Sequence, residues 1–167
     1  WRKTGDKISR LESGRLYVVG RLKELIVMSN GEKAAPALLE QELLLDPLVE
    51  QVIVTGEARP YLVAMVVPNE EALSDFCAEQ GLAADSSELT SALLERLKGD
   101  LEDQPKFAQI HRMVLIHEPW TIENEMLTPT HKPRRRRIMH HYSSQIDTLY
   151  RGHYTPDDAN LNYHVDL

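Results

Sequence analysis

The chain has 167 residues, of which 42% are hydrophobic and 27% charged, a composition typical of a soluble globular domain. The formal net charge of −7 argues against a general nucleic-acid binder. The single cysteine, Cys77, excludes an internal disulfide and fits a reducing compartment, and the longest strongly apolar run, residues 61–67, is too short to cross a bilayer.

The first part of the chain predicts short strands and tight turns. A turn at 11–16 leads into a β-rich stretch at 16–19, and no helix follows to cover the resulting hairpin. A segment of mixed charged and aliphatic residues, 20–28, then ends at Ser29-Asn30-Gly31, which is a strong turn signal. These residues alone indicate an ordinary series of short antiparallel strands.

The next segments predict a helix followed by two paired strands. Pro36 is typical of a helix start, and we expect this helix to run to about Leu45, where Asp46-Pro47 closes it. Residues 51–55 and 61–67 are rich in β-branched side chains and are joined by a five-residue loop. They therefore predict a hairpin.

Two further helices and a strand follow. Asn69 is a suitable N-cap for a helix that stops at Gly81, and either Ser86 or Ser87 caps the next helix. That second helix carries a regular apolar stripe, which we attribute to core packing: Leu89, Leu93, Leu94, Leu97 and Leu101. Residues 110–116 predict a short, mostly apolar strand.

A last helix is predicted after Pro133, because apolar side chains recur there on one face: Ile138, Tyr142, Ile146 and Leu149. Residues 151–167 show no clear period, and we assign them no role. The order of elements predicts an α+β fold, with a small mixed β-sheet flanked by helices and preceded by a short β-hairpin.

The residues that suggest chemistry are concentrated in 128–137. Lys132 follows a constrained turn and directly precedes a helix start that carries four arginines, Arg134, Arg135, Arg136 and Arg137. Cations in a first helical turn oppose the helix dipole, at a cost of roughly some tenths of a kcal/mol each. Folding alone gives no reason for them, whereas phosphate binding does, because helix N-terminal amides and clustered cations both attract anions. The alternative is a solvated basic face or a nucleic-acid patch.

The sequence gives only weak indications of a metal site or of a catalytic nucleophile. His140 and His141 are adjacent on a helix and point in different directions, and no partners for them are identifiable, so we predict no metal site. The sequence also shows no legible catalytic triad and no glycine-rich phosphate loop.

Three ordered motifs resemble the C-terminal end of long-chain fatty-acid–CoA ligases, which belong to the adenylate-forming superfamily. They are Thr4-Gly5-Asp6, Gly20-Arg21-Leu22-Lys23-Glu24-Leu25-Ile26 and Leu127-Thr128-Pro129-Thr130-His131-Lys132. A fourth stretch, Glu118-Pro119-Trp120-Thr121-Ile122-Glu123-Asn124, is similar to the long-chain branch. The resemblance covers residues 4–142 and implies the fold of the C-terminal domain of adenylate-forming enzymes.

The resemblance also implies a domain organisation. Residues 1–21 would be the β-hairpin end of a large N-terminal domain that this chain lacks. Residues 22–150 would form the C-terminal swivel domain, with a hinge at about 21–24, and residues 151–167 would be a tail.

The residues implied for the first reaction step contact ATP. Asp6 would accept hydrogen bonds from the ribose hydroxyls, and Arg21 would lie near the ribose and phosphate. Lys132 would be the catalytic lysine for adenylation. Pro133 stands where the family commonly has an aliphatic residue, so a shifted register would put one of the following arginines in that role instead.

The second step would use a different part of the domain. Lys23 falls at the hinge position, about which the domain swings. Ser29, Asn30 and Gly31 would then line the channel for the CoA thiol, with Gly31 permitting close backbone approach.

The function implied is ATP-dependent activation of a fatty acid as acyl-AMP, followed by transfer of the acyl group to CoA. ATP, Mg²⁺ and CoA would be required, with Mg²⁺ and most ATP contacts supplied by the N-terminal domain, so this fragment alone should be inactive. We expect a cytoplasmic protein and leave open a peripheral membrane contact. The alternative is a non-catalytic binding module that uses its basic helix for a protein partner or an anionic lipid; a nucleic-acid role ranks below both.

Overall fold

The computed structural model describes residues 6–10, 16–21, 25–84, 86–151 and 163–165. Two small antiparallel ladders come first: β1 (Asp6–Arg10) with β2 (Leu16–Arg21), and β3 (Ile26–Val27) with β4 (Lys33–Ala34). The main sheet contains β5 (Val49–Thr55), β6 (Leu62–Pro68), β7 (Ile110–Ile116) and β8 (Tyr163–Val165), in that order.

Five α-helices are described around these strands. They are α1 (Pro36–Leu43), α2 (Glu70–Gln80), α3 (Ser87–Asp100), α4 (Arg135–His141) and α5 (Ser143–Leu149). A short 3-10 helix, Lys106–Ala108, precedes β7. β5 pairs with β6 antiparallel, whereas β6–β7 and β7–β8 are parallel, so the predicted α+β fold with a small mixed sheet is confirmed.

Strand β6 is buried along its whole length and separates two hydrophobic cores. Leu62, Ala64 and Val66 face the first core, which also contains the apolar sides of α1, α2 and α3. The alternate residues, such as Val63 and Met65, face the second core, to which Trp120, α4 and α5 contribute. The two predicted apolar stripes are confirmed as core packing, one in each core.

The helix caps follow the sequence closely. The Asn69 side chain accepts a hydrogen bond from the Ala72 amide at 3.0 Å, and Gly81 ends α2 with a φ of 67°. Of the two serines offered as the next cap, Ser86 fills the position, because its hydroxyl accepts from the Leu89 amide at 3.1 Å.

The structure departs from two of the predicted boundaries and adds one strand that was not predicted. The last helix is divided at Tyr142 into α4 and α5, although both halves keep the predicted apolar face in the second core. Helix α1 ends at Leu43, and Leu45 lies in the following turn with 83% of its surface exposed. Residues 163–165, left without a role, pair in parallel with Val114–Ile116.

None of the described helices is both long enough and apolar enough to span a bilayer.

An ion pair between the buried Asp46 and the half-exposed Arg96 holds the turn between α1 and β5 against α3. The Asp46 carboxylate is 2% exposed; it receives the Arg96 guanidinium at 2.5 Å and the Leu48 amide at 2.9 Å. Burial by itself raises the pKa of Asp46, but the hydrogen bonds from Arg96 and Leu48 outweigh it and hold the pKa below the ordinary 3.8.

Replacing Arg96 with methionine should leave the Asp46 carboxylate buried and unpaired. We expect the free energy of unfolding to fall by about 1–3 kcal/mol in chemical denaturation at pH 7. Lys98→Met is the matched control, since Lys98 pairs with Glu95 on the exposed side of the same helix and should cost about 0.5 kcal/mol or less.

The difference in free energy of unfolding between Arg96→Met and the wild type should depend on pH. Because the folded-state pKa of Asp46 is lowered, its stabilising contribution is present above about pH 4 and is lost as the pH falls through the folded-state value. The stability deficit of the variant should therefore shrink on acidification. A deficit that is constant from pH 7 to pH 3 would contradict this assignment.

Candidate functional site

The segment that carries Lys132 is a closed, hydrogen-bonded loop, here called the lysine loop (residues 127–133). Its two ends form a β-bridge between Leu127 and Pro133. The Thr128 amide donates to the Lys132 carbonyl at 2.9 Å, and the Lys132 amide donates to the Thr128 hydroxyl at 3.0 Å. His131 completes the turn with a φ of 57°. The lysine backbone is therefore fixed on both sides by Thr128.

A second turn supports the lysine loop from its N-terminal side. The Asn124 side chain accepts from the Thr121 amide at 2.9 Å and donates to the Pro119 carbonyl at 3.0 Å. The Thr121 hydroxyl in turn accepts from the Asn124 amide at 3.1 Å. The pKa of the nearby Glu123 carboxyl lies below its usual value, because its own amide and the Thr121 hydroxyl donate to the carboxylate. These side-chain bonds brace the turn that leads into the lysine loop.

Trp120 anchors that turn in the second core. Its ring is buried, and its main chain is held by a reciprocal pair of bonds with Gln51 on β5: the Trp120 amide donates to the Gln51 side chain at 2.7 Å, and the Gln51 amide group donates to the Trp120 carbonyl at 2.9 Å. Met126 and Leu127 are buried in the same core. The lysine loop thus projects from a rigid base.

The structure divides the basic residues of 132–137 into those that form ion pairs and those that do not. Arg135 pairs with Glu40, and Arg137 pairs with Glu125 at 2.5 Å. Lys132, Arg134 and Arg136 are exposed, and none of them makes an ion pair within the described part of the chain. These three side chains are the cations available to an external anion.

The predicted CoA-channel residues form a second exposed loop, here called the glycine loop (residues 28–32). Gly31 has a φ of 84°, a conformation that favours glycine, and its amide donates to the Met28 carbonyl at 2.9 Å. The Asn30 side chain accepts from the Glu32 amide at 3.0 Å. The Ser29 amide donates to the Arg59 carbonyl at 3.0 Å, which ties the loop to the β5–β6 turn.

The two loops are anchored in different cores. Met28 at the base of the glycine loop is buried in the first core, whereas Leu127 at the base of the lysine loop is buried in the second. Because the main sheet separates these cores, the two loops are anchored on opposite sides of the sheet.

The remaining predicted residues lie in or beside the N-terminal hairpin. Asp6 and Arg21 are direct partners in the β1–β2 register, so their backbones face each other across the ladder. Lys23, the predicted hinge residue, lies outside the described residues.

The described residues contain no group of three or more His, Cys, Asp or Glu side chains that could hold a metal ion.

Sequence reasoning missed the residues that position Lys132. Thr128 was noted as part of a constrained turn, but its hydroxyl bond to an amide four residues later gives no separate sequence signal. Asn124 and Thr121 could have been found from the Thr-x-x-Asn spacing typical of a side-chain-capped turn. Arg135 was not distinguishable from the arginines beside it.

Comparison with known proteins gives a consistent result. Residues 23–153 match the family model described as the AMP-binding enzyme C-terminal domain. The chain is 35% identical over 159 residues to long-chain-fatty-acid–CoA ligase 5 of Mus musculus, covering 90% of this chain and 23% of that protein. It is 33% identical over 151 residues to a probable chloroplastic acyl-activating enzyme 16 of Arabidopsis thaliana, covering 86% of this chain and 20% of that protein.

Solved structures share the architecture. The A-PCP didomain of carboxylic acid reductase from Segniliparus rugosus, in complex with AMP, superposes with a TM-score of 0.75 at 29% identity, covering 89% of this chain and 20% of that one. This match confirms the fold that the motifs implied. The chain spans about a fifth to a quarter of the length of the curated relatives it matches.

Substituting Thr128 should loosen the lysine loop beside the bridge that closes it. In Thr128→Val the Lys132 amide loses its hydroxyl acceptor, and we expect its hydrogen exchange to quicken about fivefold, as the loss of roughly 1 kcal/mol implies. Thr130→Val is the matched control, because the Thr130 hydroxyl contacts Thr128 at 3.0 Å without accepting from that amide. Unchanged exchange at Lys132 in Thr128→Val would contradict the described loop.

Proposed function

Because the chain belongs to the family of AMP-binding enzyme C-terminal domains, we propose that it is the C-terminal swivel domain of an ATP-dependent long-chain fatty-acid–CoA ligase. The observation that carries the proposal is the placement of Lys132: an exposed cation on a braced loop, without an ion-pair partner in the described part of the chain. The similarity to long-chain-fatty-acid–CoA ligases over most of the chain supports the same substrate class.

In the first half-reaction a fatty-acid carboxylate attacks the α-phosphorus of ATP, acyl-AMP forms, and pyrophosphate leaves. Negative charge develops on the phosphate oxygens in the transition state. The Lys132 ammonium bridges the carboxylate and the α-phosphate, so it both positions the two anions and stabilises the developing charge. The fixed Lys132 backbone reduces the freedom that the side chain must lose.

Asp6 and Arg21 serve the nucleotide in the same step. The carboxylate of Asp6 accepts from the ribose hydroxyls, and the guanidinium of Arg21 donates near the ribose and phosphate. Their direct pairing in the β1–β2 ladder supports a shared site, since it places the two residues opposite each other on neighbouring strands.

In the second half-reaction the domain rotates about Lys23 and presents its other face. The glycine loop then lines the path of the CoA thiol, which attacks the acyl carbonyl of acyl-AMP and releases AMP. The anchoring of the two loops in opposite cores supports this division, because a rotation that brings one loop to the reaction centre withdraws the other.

The rest of the ligase would supply what this domain does not contain. The fatty acid, the bulk of ATP and Mg²⁺ would bind a preceding N-terminal domain. Cytoplasmic location, with or without peripheral membrane contact, is part of the proposal; the buried free Cys77 is consistent with it.

Removing the Lys132 ammonium should separate the two half-reactions. In the full-length ligase, Lys132→Ala should reduce fatty-acid-dependent ATP–pyrophosphate exchange by about 100-fold or more, because an electrostatic contact specific to the transition state is lost. Transfer of the acyl group from preformed acyl-AMP to CoA should largely survive.

Arg134→Ala and Arg136→Ala provide the charge-matched controls, because both are exposed cations close to Lys132. Each should retain most of the exchange activity. Equal loss of both half-reactions in Lys132→Ala would reject its role, and a larger exchange defect in one of the arginine variants would assign the role to that arginine.

A substitution in the glycine loop should impair the second half-reaction and leave the first unchanged. Gly31→Ala places a side chain at a φ of 84°, which strains the loop by about 1 kcal/mol and obstructs close approach of the thiol arm. We expect slower transfer from acyl-AMP to CoA with pyrophosphate exchange unchanged. Glu32→Ala is the control within the same loop; a Gly31→Ala defect confined to exchange would contradict the assignment.

A further inference from the structure

We propose that Arg135 is a positioning residue for Lys132, acting through a charged cap that it forms with Glu40 on the edge of the main sheet. The inference rests on the proposed function of Lys132. It assigns a separate role to one member of a run of four arginines, and that role requires no contact with substrate.

The contacts of Arg135 converge on Val54, the penultimate residue of β5. In the described part of the chain β5 pairs with β6 on one side, and its other side is an edge. At Val54 the Arg135 guanidinium donates to the main-chain carbonyl at 2.7 Å, and the Glu40 carboxylate accepts from the main-chain amide at 2.7 Å. Arg135 and Glu40 also bond to each other. The pair thus satisfies both polar groups of a buried edge residue.

This arrangement joins three elements of the fold: a helix of the first core, the edge strand of the sheet, and a helix of the second core. Glu40 belongs to α1 on the first core, Val54 to the sheet, and Arg135 to the first turn of α4 on the second core. The side chains of Arg135 and Glu40 are 35% and 15% exposed, whereas those of Arg137 and Glu125 are 50% and 57% exposed. The Arg135–Glu40 pair is therefore the better shielded of the two.

A short stretch of backbone connects this pair to Lys132. Arg135 lies three residues after Lys132, and the intervening Arg134 amide donates to the Met126 carbonyl at 2.8 Å. Movement of the start of α4 would therefore move the C-terminal side of the lysine loop. Displacing a catalytic group by about 1 Å can cost on the order of 100-fold in rate, so release of Arg135 should impair the step that uses Lys132. The glycine loop is held by other bonds and should be unaffected.

The test compares Arg135→Met with Arg96→Met in the full-length ligase. Both changes remove a guanidinium from a partly buried ion pair, but the Arg96–Asp46 pair lies between α3 and the α1–β5 turn and holds neither loop. Pyrophosphate exchange, transfer from preformed acyl-AMP and chemical unfolding are measured for each variant. We expect Arg135→Met to lower exchange about tenfold or more and transfer by less than about twofold. Arg96→Met, with a comparable loss of stability, should change both rates by less than about twofold.

Equal loss of both half-reactions in Arg135→Met, or an exchange defect no larger than that of Arg96→Met, would overturn the inference. If Arg135→Met does not fold, Glu40→Gln decides the question, because the glutamine oxygen can still accept from the Val54 amide while the charge that holds Arg135 is lost. A smaller defect confined to exchange supports the inference, and unchanged exchange overturns it. Lys132→Ala is measured alongside to distinguish failure of this inference from failure of the proposed function. If Lys132→Ala leaves pyrophosphate exchange unchanged, the proposed function itself is wrong.

Discussion

The complete burial of β6 on both faces is the constraint on which the rest of this domain depends. A strand with apolar side chains on both sides requires a hydrophobic layer above it and another below it. The leucines of α3 provide the first layer, and the split pair α4–α5 with Trp120 provides the second. The glycine loop is anchored in the first layer and the lysine loop in the second, so the sheet that stabilises the fold also separates the anchors of the two loops.

That division gives a physical reason for the proposal that one small domain serves two reaction steps. A rigid body with two working faces needs no internal rearrangement; a change in its orientation suffices to exchange one face for the other. Both loops have fixed backbones: the Thr128 hydroxyl and the 127–133 bridge hold one, and the Arg59 carbonyl and the Asn30 side chain hold the other. The proposal therefore requires movement only of the domain as a whole and of the long Lys132 side chain.

Local signals in the sequence were sufficient for much of the fold. Asn69 and Ser86 cap their helices through bonds to residues three positions later, and the leucine stripe of α3 has a strict helical period, so both could be predicted. The division of the last helix at Tyr142 and the pairing of 163–165 with β7 depend on distant partners and could not. The same holds at the site: the motif that resembles the ligases is sufficient to propose Lys132, but four consecutive arginines are equivalent in sequence. Tertiary contacts alone distinguish Arg135, which caps the sheet edge, from Arg134 and Arg136, which face solvent.

The central claim is that Lys132 reaches the nucleotide in one orientation of the domain and leaves it in the other. Amine-selective labelling of Lys132 in the full-length ligase, quantified by mass spectrometry, tests this most directly. The account predicts that ATP without fatty acid protects Lys132 from labelling, and that a stable acyl-AMP analogue together with CoA restores labelling to the level of the free ligase. Protection of Lys132 that is equal in both complexes, or absent from both, would contradict it.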